Sequence, residues 1–368
     1  MINSNKGDIS IMKETLIVRG APQEYICEVG SWNQLETHLL NRNLKRVLVL
    51  TGTKSWEVAK HYFPKLTQVE LIFEHYQNEC RYDIRDYFKE IVETKQLDGI
   101  IAVGGGKVLD LGKLVASEKK IPCICLPTLA STCAAYTPVS IVYNDKHEMI
   151  DMLFFSQSIS LTLIDPQVLL HSPKDYLVAG IGDTLAKWYE SDPILSNMTD
   201  LSVEVEIARF AAKSCQKNLL DEGKQAILDL ESQTLSPSFI KVIETNIMLA
   251  GMVGGFGDKY GRTSGAHSIH DALTHIPETA KQLHGNKVAY GILVQLGFEE
   301  KWEEVNQLLP FFTDLGLPIS YQELGSTNQD MEKVARLASK DEFMSLLPFE
   351  VSEEMIMTSI KRLEAMSL

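Results

Sequence analysis

One stretch limits the fold more than any other. Residues 99–113 read Gly-Ile-Ile-Ala-Val-Gly-Gly-Gly-Lys-Val-Leu-Asp-Leu-Gly-Lys, an unbroken apolar strand running into three glycines and then a helical pattern. A strand with no polar face must be covered on both sides, which is the situation of a parallel sheet. The neighbouring segments repeat the alternation. Residues 47–50 are apolar and β-rich, and helical spacing follows from Lys54 to Tyr62. Residues 69–73 form a second strand candidate. Residues 82–95 follow with Ile84, Tyr87, Phe88 and Ile91 on one helical face. After the helix expected at 107–117, residues 121–126 give another apolar strand. Strand–helix alternation of this kind predicts an α/β region with helices on both faces of the sheet.

The alternation stops after Thr137. Residues 139–143, 148–154 and 160–164 are closely spaced strand candidates with no room for crossover helices. Asn144-Asp145-Lys146 suits a hairpin turn between the first two. From about Lys174 onward the patterns are almost only helical, as at 183–189, 203–212, 240–252 and 265–273. A length of 368 residues predicts two domains at roughly 100–200 residues each. The boundary is expected near Asp165-Pro166 and Ser172-Pro173. It divides an α/β domain at 1–168 from an all-helical domain at 169–368, with no internal repeat in either.

Composition narrows the partners. The chain is 45% hydrophobic and 23% charged, enough apolar content for a core without disulfide or metal staples. Lys and Arg number 35 against 49 Asp and Glu, a net charge of −14. An acidic chain without a basic block is a poor partner for nucleic acid or an anionic membrane. No run approaches ~18 uncharged apolar residues, so no membrane span is expected. The opening MINSNKGDIS lacks the apolar region of a signal peptide. The six cysteines, at 27, 80, 123, 125, 133 and 215, include no C-x-x-C pair. They read as reduced thiols of a cytoplasmic protein.

Two groups of residues carry chemistry. Gly104, Gly105 and Gly106 let the backbone approach a ligand closely, and the following helix aims its free N–H groups at the turn, a seat for a pyrophosphate. The run matches neither G-x-G-x-x-G nor a P-loop. The next strand ends in Pro127-Thr128-Leu129-Ala130-Ser131-Thr132, so both loops sit at carboxyl ends of strands, where open sheets bind ligands. The second group is histidines. Four of the nine lie at 267, 270, 275 and 284, and His267 and His270 share a helical face. Asp183, after Gly180-Ile181-Gly182, reads either as a helix N-cap or as a carboxylate ligand. Two His and one carboxylate would leave an open position, as in catalytic zinc sites.

In combination these motifs resemble the iron-containing alcohol dehydrogenase family, in its glycerol dehydrogenase branch, from about residue 12 to the C-terminal helices. Gly104-Gly105-Gly106-Lys107-x-x-Asp110-x-x-Lys113 and Pro127-Thr128-x-Ala130-Ser131-Thr132 stand in the family's order. So do Gly180-Ile181-Gly182-Asp183, Ala266-His267-x-Ile269-His270 and Leu283-His284-Gly285-x-Lys287-Val288-Ala289. The resemblance implies a Rossmann-like N-terminal domain with a β-ribbon and an all-α C-terminal domain, an architecture shared with dehydroquinate synthase. It implies a metal in the cleft held by Asp183, His267 and His284, with zinc expected first and iron second. His270 would stand beside the metal and relay a proton. NAD or NADP would be held by Gly104, Gly105, Gly106, Lys107, Asp110, Thr128, Leu129 and Ser131, helped by Thr137, Val139 and Tyr143 on the ribbon. The substrate would be a small molecule and the enzyme a homo-oligomer, a dimer or higher.

Three departures from the branch shape the expected chemistry. Glycerol dehydrogenases carry an Asp that contacts glycerol where this chain has Cys133, so a charge that would repel an anion is gone. Lys187, four residues after Asp183, shares its helical face and suits a substrate carboxylate. Arg262 is a second cation for that task. Both have a plain alternative as solvated surface charges. Cys133 with Lys187 looks like the family's hydroxycarboxylate dehydrogenase A type. Gly52 replaces the acid that in many relatives hydrogen-bonds the 2′-hydroxyl of NAD, so NADP(H) should be admitted. The reading is a metal-dependent NAD(P)(H) oxidoreductase interconverting a 2-hydroxy acid and its 2-oxo acid. Its rivals are a glycerol or polyol dehydrogenase, a dehydroquinate synthase-like lyase and a non-catalytic binding protein.

Overall fold

The computed structural model describes residues 15–325 and 330–366. Its first half is built on eight strands. They are β1 (Tyr25–Cys27), β2 (Arg46–Thr51), β3 (Glu70–His75), β4 (Gly99–Gly104), β5 (Cys123–Pro127), β6 (Val139–Tyr143), β7 (Met149–Phe154) and β8 (Leu161–Ile164). Six lie in one parallel sheet ordered β1-β8-β5-β4-β2-β3, and β6 and β7 pair antiparallel as a separate ribbon. Every residue of β4, β5 and β8 is buried, which is why these segments carry no polar alternation. Helices α1 (Leu35–Asn41), α2 (Thr53–Ala59), α3 (Tyr82–Thr94) and α4 (Gly106–Lys119) link the strands.

Two strands take places that the sequence did not assign. The strand candidate at 160–164 is β8, and it enters the main sheet between β1 and β5, pairing Ile124 with Leu161 and Tyr25 with Thr162. The strand β1 gives no periodic signal because only three residues pair. The strand order also locates a crevice. β3 lies on one side of β2 and β4 on the other, so the order reverses between β2 and β4. Ligands of open α/β sheets bind outside the carboxyl ends of strands at such a reversal. Gly52 follows β2 there, and Gly105 and Gly106 follow β4.

Helices make up the rest. They are α5 (Pro166–Leu169), α6 (Lys174–Leu195), α7 (Val203–Glu231), α8 (Pro237–Glu244), α9 (Ala250–Gly257), α10 (Lys259–Arg262), α11 (Gly265–Thr274), α12 (His284–Phe298), α13 (Trp302–Leu315), α14 (Met331–Ala338) and α15 (Glu353–Met366). A π turn, Thr245–Leu249, joins α8 to α9. The run Pro237–Gly257 is long and apolar enough to cross a membrane by length and composition alone, with a mean hydropathy of 1.3, but it carries Lys241 and Glu244. It packs on α7, and 56% of it is buried inside the fold, as in a core helix.

Glycines set how closely the site helices meet. A Cβ on Gly285 of α12 would stand 1.8 Å from the Ala179 carbonyl oxygen of α6, and one on Gly182 would stand 2.6 Å from the Gly285 carbonyl oxygen. A Cβ on Gly291 would stand 2.3 Å from the Ala266 carbonyl oxygen of α11. Both obstacles at α6 are backbone, so neither can rotate away. Gly285→Ala is therefore expected to cost at least ~1–3 kcal/mol of stability through overpacking. It should also spread α6 from α12, and thermal unfolding with zinc titration reads both effects. An unchanged melting temperature and zinc affinity would contradict this account of the contact.

Candidate active site

Three helices bring the metal candidates together. Asp183 sits in the middle of α6, not at a helix start, so the N-cap alternative is excluded; His267 lies in the first turn of α11, and His284 opens α12. Asp183 Oδ1 is 3.4 Å from His267 Nε2 and 3.2 Å from His284 Nε2. One ligand atom from each of the three lies within 4.8 Å of the others. The Asp183 and His267 side chains are 9% exposed and that of His284 is 44% exposed. The cluster is thus closed on one side and open at His284, the pattern of a site that binds substrate. His275 is exposed and stays outside it.

Electrostatics favours a cation there. Burial opposes a charge on Asp183, yet His284, His267 and Lys187 hold its carboxyl well below the usual range. Burial likewise opposes a charge on His267, but Glu190 and Asp183 raise it to about 9. A divalent ion would replace that proton with a larger positive charge. Burial and the neighbouring His284 push His270 down to about 3. Its Nδ1 is 2.8 Å from Asp271 Oδ1, and a carboxylate only accepts, so Nδ1 carries the proton. His270 Nε2 then accepts from His284 Nδ1 at 2.8 Å. That leaves His284 Nε2 turned to Asp183. The donor set of two imidazoles and one carboxylate suits zinc or ferrous iron.

Lys187 is buried one turn further along α6. Burial disfavours its charge, but Asp183, Cys133 and Glu190 raise its pKa above the ordinary value. Its Nζ donates to the Arg262 carbonyl at 2.9 Å. The acids nearest along the helix face other groups: Asp183 lies 3.4 and 3.2 Å from His267 and His284, Glu190 pairs with His267 at 2.8 Å and Asp192 with Arg209 at 2.9 Å. The Arg262 guanidinium pairs with Asp258 at 2.8 Å and lies over the Phe154 ring at 4.2 Å. What Arg262 gives Lys187 is a backbone oxygen. Burial pushes the Cys133 thiol up, and both Lys187 and Asp183 are close enough to act on it.

The glycine turn sits at the crevice and fits a dinucleotide. No side chain caps the start of α4 at Gly105. A Cβ on Gly105 would meet Leu129 at 2.9 Å, whereas one on Gly106 would meet nothing closer than Thr132 Oγ1 at 3.6 Å. Leu129 therefore roofs the turn, while a Cβ on Gly106 would fit in ordinary contact with Thr132 and Ala134. Thr128 Oγ1 is buried without a hydrogen-bond partner among the described residues, an unfilled polar position beside the turn. The helical part closes against this loop. A Cβ on Gly180 would stand 2.2 Å from the Ala130 carbonyl oxygen and 2.9 Å from Ser131 Cα, and Asn246 Nδ2 donates to the same carbonyl at 2.9 Å.

Other expected cofactor residues have bracing positions. Asp110 is buried, 2.9 Å from Lys113, and accepts from the Ile141 N–H at 3.3 Å. Lys113 donates to the carbonyls of Ala134 (2.7 Å), Thr137 (3.0 Å) and Val139. Asp110, Thr137 and Val139 thus tie the ribbon to α4 through Lys113. Lys107 Nζ is held by Glu79 at 2.7 Å and lies 4.7 Å from the centre of the Tyr143 ring. Sequence reasoning missed Glu79, Asp271 and Asn246 as site neighbours, and it did not place Glu190 behind His267. Glu190 had a legible signal: seven residues after Asp183, it returns to the same helical face.

The comparisons with known proteins bear on the family and the fold. The sequence profile of iron-containing alcohol dehydrogenases matches residues 22–166. Hydroxycarboxylate dehydrogenase A of Escherichia coli strain K12 is 32% identical over 352 residues, 94% of this chain and 96% of that protein. A glycerol dehydrogenase of Thermotoga maritima is 30% identical over 92% of this chain and 94% of its own length. The crystal structure of glycerol dehydrogenase from Schizosaccharomyces pombe superposes with a TM-score of 0.84 at 27% identity, covering 96% of this chain and 91% of that one. These relatives are named as dehydrogenases, and the family implies NAD(P) and a divalent metal. The chain belongs to the iron-containing alcohol dehydrogenase family.

Proposed function

We propose that this dehydrogenase interconverts a 2-hydroxy acid and its 2-oxo acid, with Lys187 as the partner of the substrate carboxylate. The observation that carries the reading is a buried ammonium one helical turn from Asp183 that no carboxylate of its own helix neutralises by direct pairing. One of its three N–H groups goes to Arg262, which leaves two for a substrate. Cys133 in the same neighbourhood adds no opposing charge. With the domain boundary placed at 168/169, the substrate would lie between the glycine turn and the three-helix cluster.

In this reading Asp183, His267 and His284 hold one divalent ion, zinc first. The bound ion supplies Lewis acidity to the substrate oxygen, and the nicotinamide supplies or takes the hydride. The chain's own residues orient the reacting groups. Lys187 fixes the carboxylate and so the face of the adjoining carbonyl. His270 Nε2 accepts from His284 Nδ1 and its Nδ1 donates to Asp271, so this chain of bonds holds the His284 ring with Nε2 turned to Asp183. A second reading, a polyol dehydrogenase, is favoured by the Lys187–Arg262 bond if that bond is the whole role of Lys187.

The test is oxidation of NADH and NADPH by zinc-loaded enzyme with 2-oxo acids, dihydroxyacetone and simple ketones. A 2-oxo acid is expected to give the highest kcat/KM. Dihydroxyacetone outperforming every 2-oxo acid would favour the polyol reading instead.

Gly52 bears on the cofactor. Its backbone is extended at the start of α2, and an added Cβ would meet only the rotatable Ser55 hydroxyl closely, at 2.5 Å. Gly52→Asp should raise KM for NADPH more than KM for NADH, because the new carboxylate repels a 2′-phosphate. An unchanged ratio would move the adenosine ribose elsewhere.

A further inference from the structure

Glu190 stands outside the proposed ligand set, yet both of its carboxylate oxygens are bonded to one member of that set, His267. It is 2% exposed, two helical turns from Asp183 on α6. Its Oε2 is 2.8 Å from His267 Nδ1. Its Oε1 accepts from the His267 N–H at 2.9 Å and from the Ser264 N–H at 2.7 Å. Helix α11 has no side-chain cap from its own N-cap residue, Ser264. Glu190 therefore serves the buried N–H groups at the start of that helix from a neighbouring helix, and with its other oxygen fixes the ring that the helix carries.

We propose that Glu190 is a positioning residue for the metal. It holds the proton of His267 on Nδ1 and locks the ring so that Nε2 is presented beside Asp183. The proposal rests on the reading of Asp183, His267 and His284 as ligands. An ionised carboxylate only accepts hydrogen bonds, so the three N–H groups around Glu190 match it and would not match an amide. Glutamine at this position has two orientations. In one, its NH2 faces Nδ1, which must then accept, and the His267 proton moves to Nε2, the atom needed for the metal. In the other, its NH2 faces two backbone N–H groups and the start of α11 is disturbed. Partners of this kind behind a ligating histidine commonly govern metal affinity by 10–100-fold.

The experiment is competition of the full-length chain with a chromogenic chelator for zinc, using wild type, Glu190→Gln and Asp183→Asn. Thermal unfolding of each metal-free chain runs in parallel. Zinc affinity of Glu190→Gln should fall ~10–100-fold, well beyond what its change in melting temperature explains. Affinity within about threefold of wild type would overturn the proposal, and a lowered melting temperature beside it would leave Glu190 only as a helix cap. Asp183→Asn separates the two levels. If it binds zinc like wild type, the ligand set itself is wrong and the proposal falls with it. If it loses zinc while Glu190→Gln retains it, only the role of Glu190 is wrong. Should Glu190→Gln not fold, nitrogen-15 spectra of histidine-labelled, zinc-loaded wild type decide. His267 bound through Nε2 with a protonated Nδ1 supports the proposal, and ligation through Nδ1 overturns it.

Discussion

Asp183→Asn is expected to lose most bound metal and to lower kcat/KM by a thousandfold or more. The carboxylate is the one anionic member of the cluster and faces both imidazoles, at 3.4 and 3.2 Å. An amide of the same shape keeps the packing but removes the charge that balances a divalent ion. Lewis acidity at a substrate oxygen is worth several kcal/mol, and about 4 kcal/mol is a thousandfold in rate. His284→Ala should act in the same direction, from the exposed side of the site. Metal content after dialysis, measured with turnover, checks both. Full activity of either variant after chelation would remove that residue from the ligand set.

Lys187→Met is expected to lower kcat/KM for 2-oxo acids by about ten- to a hundredfold while sparing neutral ketones. A charge-assisted contact to a carboxylate contributes roughly 1.5–3 kcal/mol, which sets that range. Methionine fills a similar volume, so the helix packing is largely kept. The contrary outcome is specific. If the bond from Lys187 to the Arg262 carbonyl is its whole purpose, the variant should lose stability and affect charged and neutral substrates alike. Steady-state kinetics on paired substrates, with a thermal melt, separates the two.

Much of this was legible before any coordinates because apolar strands and glycine turns are local signals. Residues 99–106 announced the central strand and its turn, and β4 with α4 confirm both. The ribbon at 139–154 was legible from its spacing and its turn. β8 was legible as a strand but its sheet was not, because its four residues carry no mark of which sheet they join, and pairing with β1 and β5 is a tertiary matter. The three ligand candidates were named from motif order, yet the start of α6 was misplaced. Gly180 and Gly182 looked like helix punctuation, whereas both lie inside a helix where other backbone passes too close for a side chain. Asp110 was assigned to the cofactor because its motif adjoins the glycine turn. Only the fold shows its carboxylate engaged by Lys113 and Ile141. The role of Glu190 was hidden for the same reason, since its partners lie 74 to 77 residues away in sequence.

The most direct test of the whole account is one diffraction experiment. Crystals grown with zinc and a 2-hydroxy acid, and measured at the zinc absorption edge, report metal and substrate together. The account predicts a single anomalous peak bounded by Asp183, His267 and His284, with the carboxylate of the acid hydrogen-bonded to Lys187 Nζ. A metal peak elsewhere, or an acid bound at the peak with its carboxylate turned away from Lys187, would contradict it.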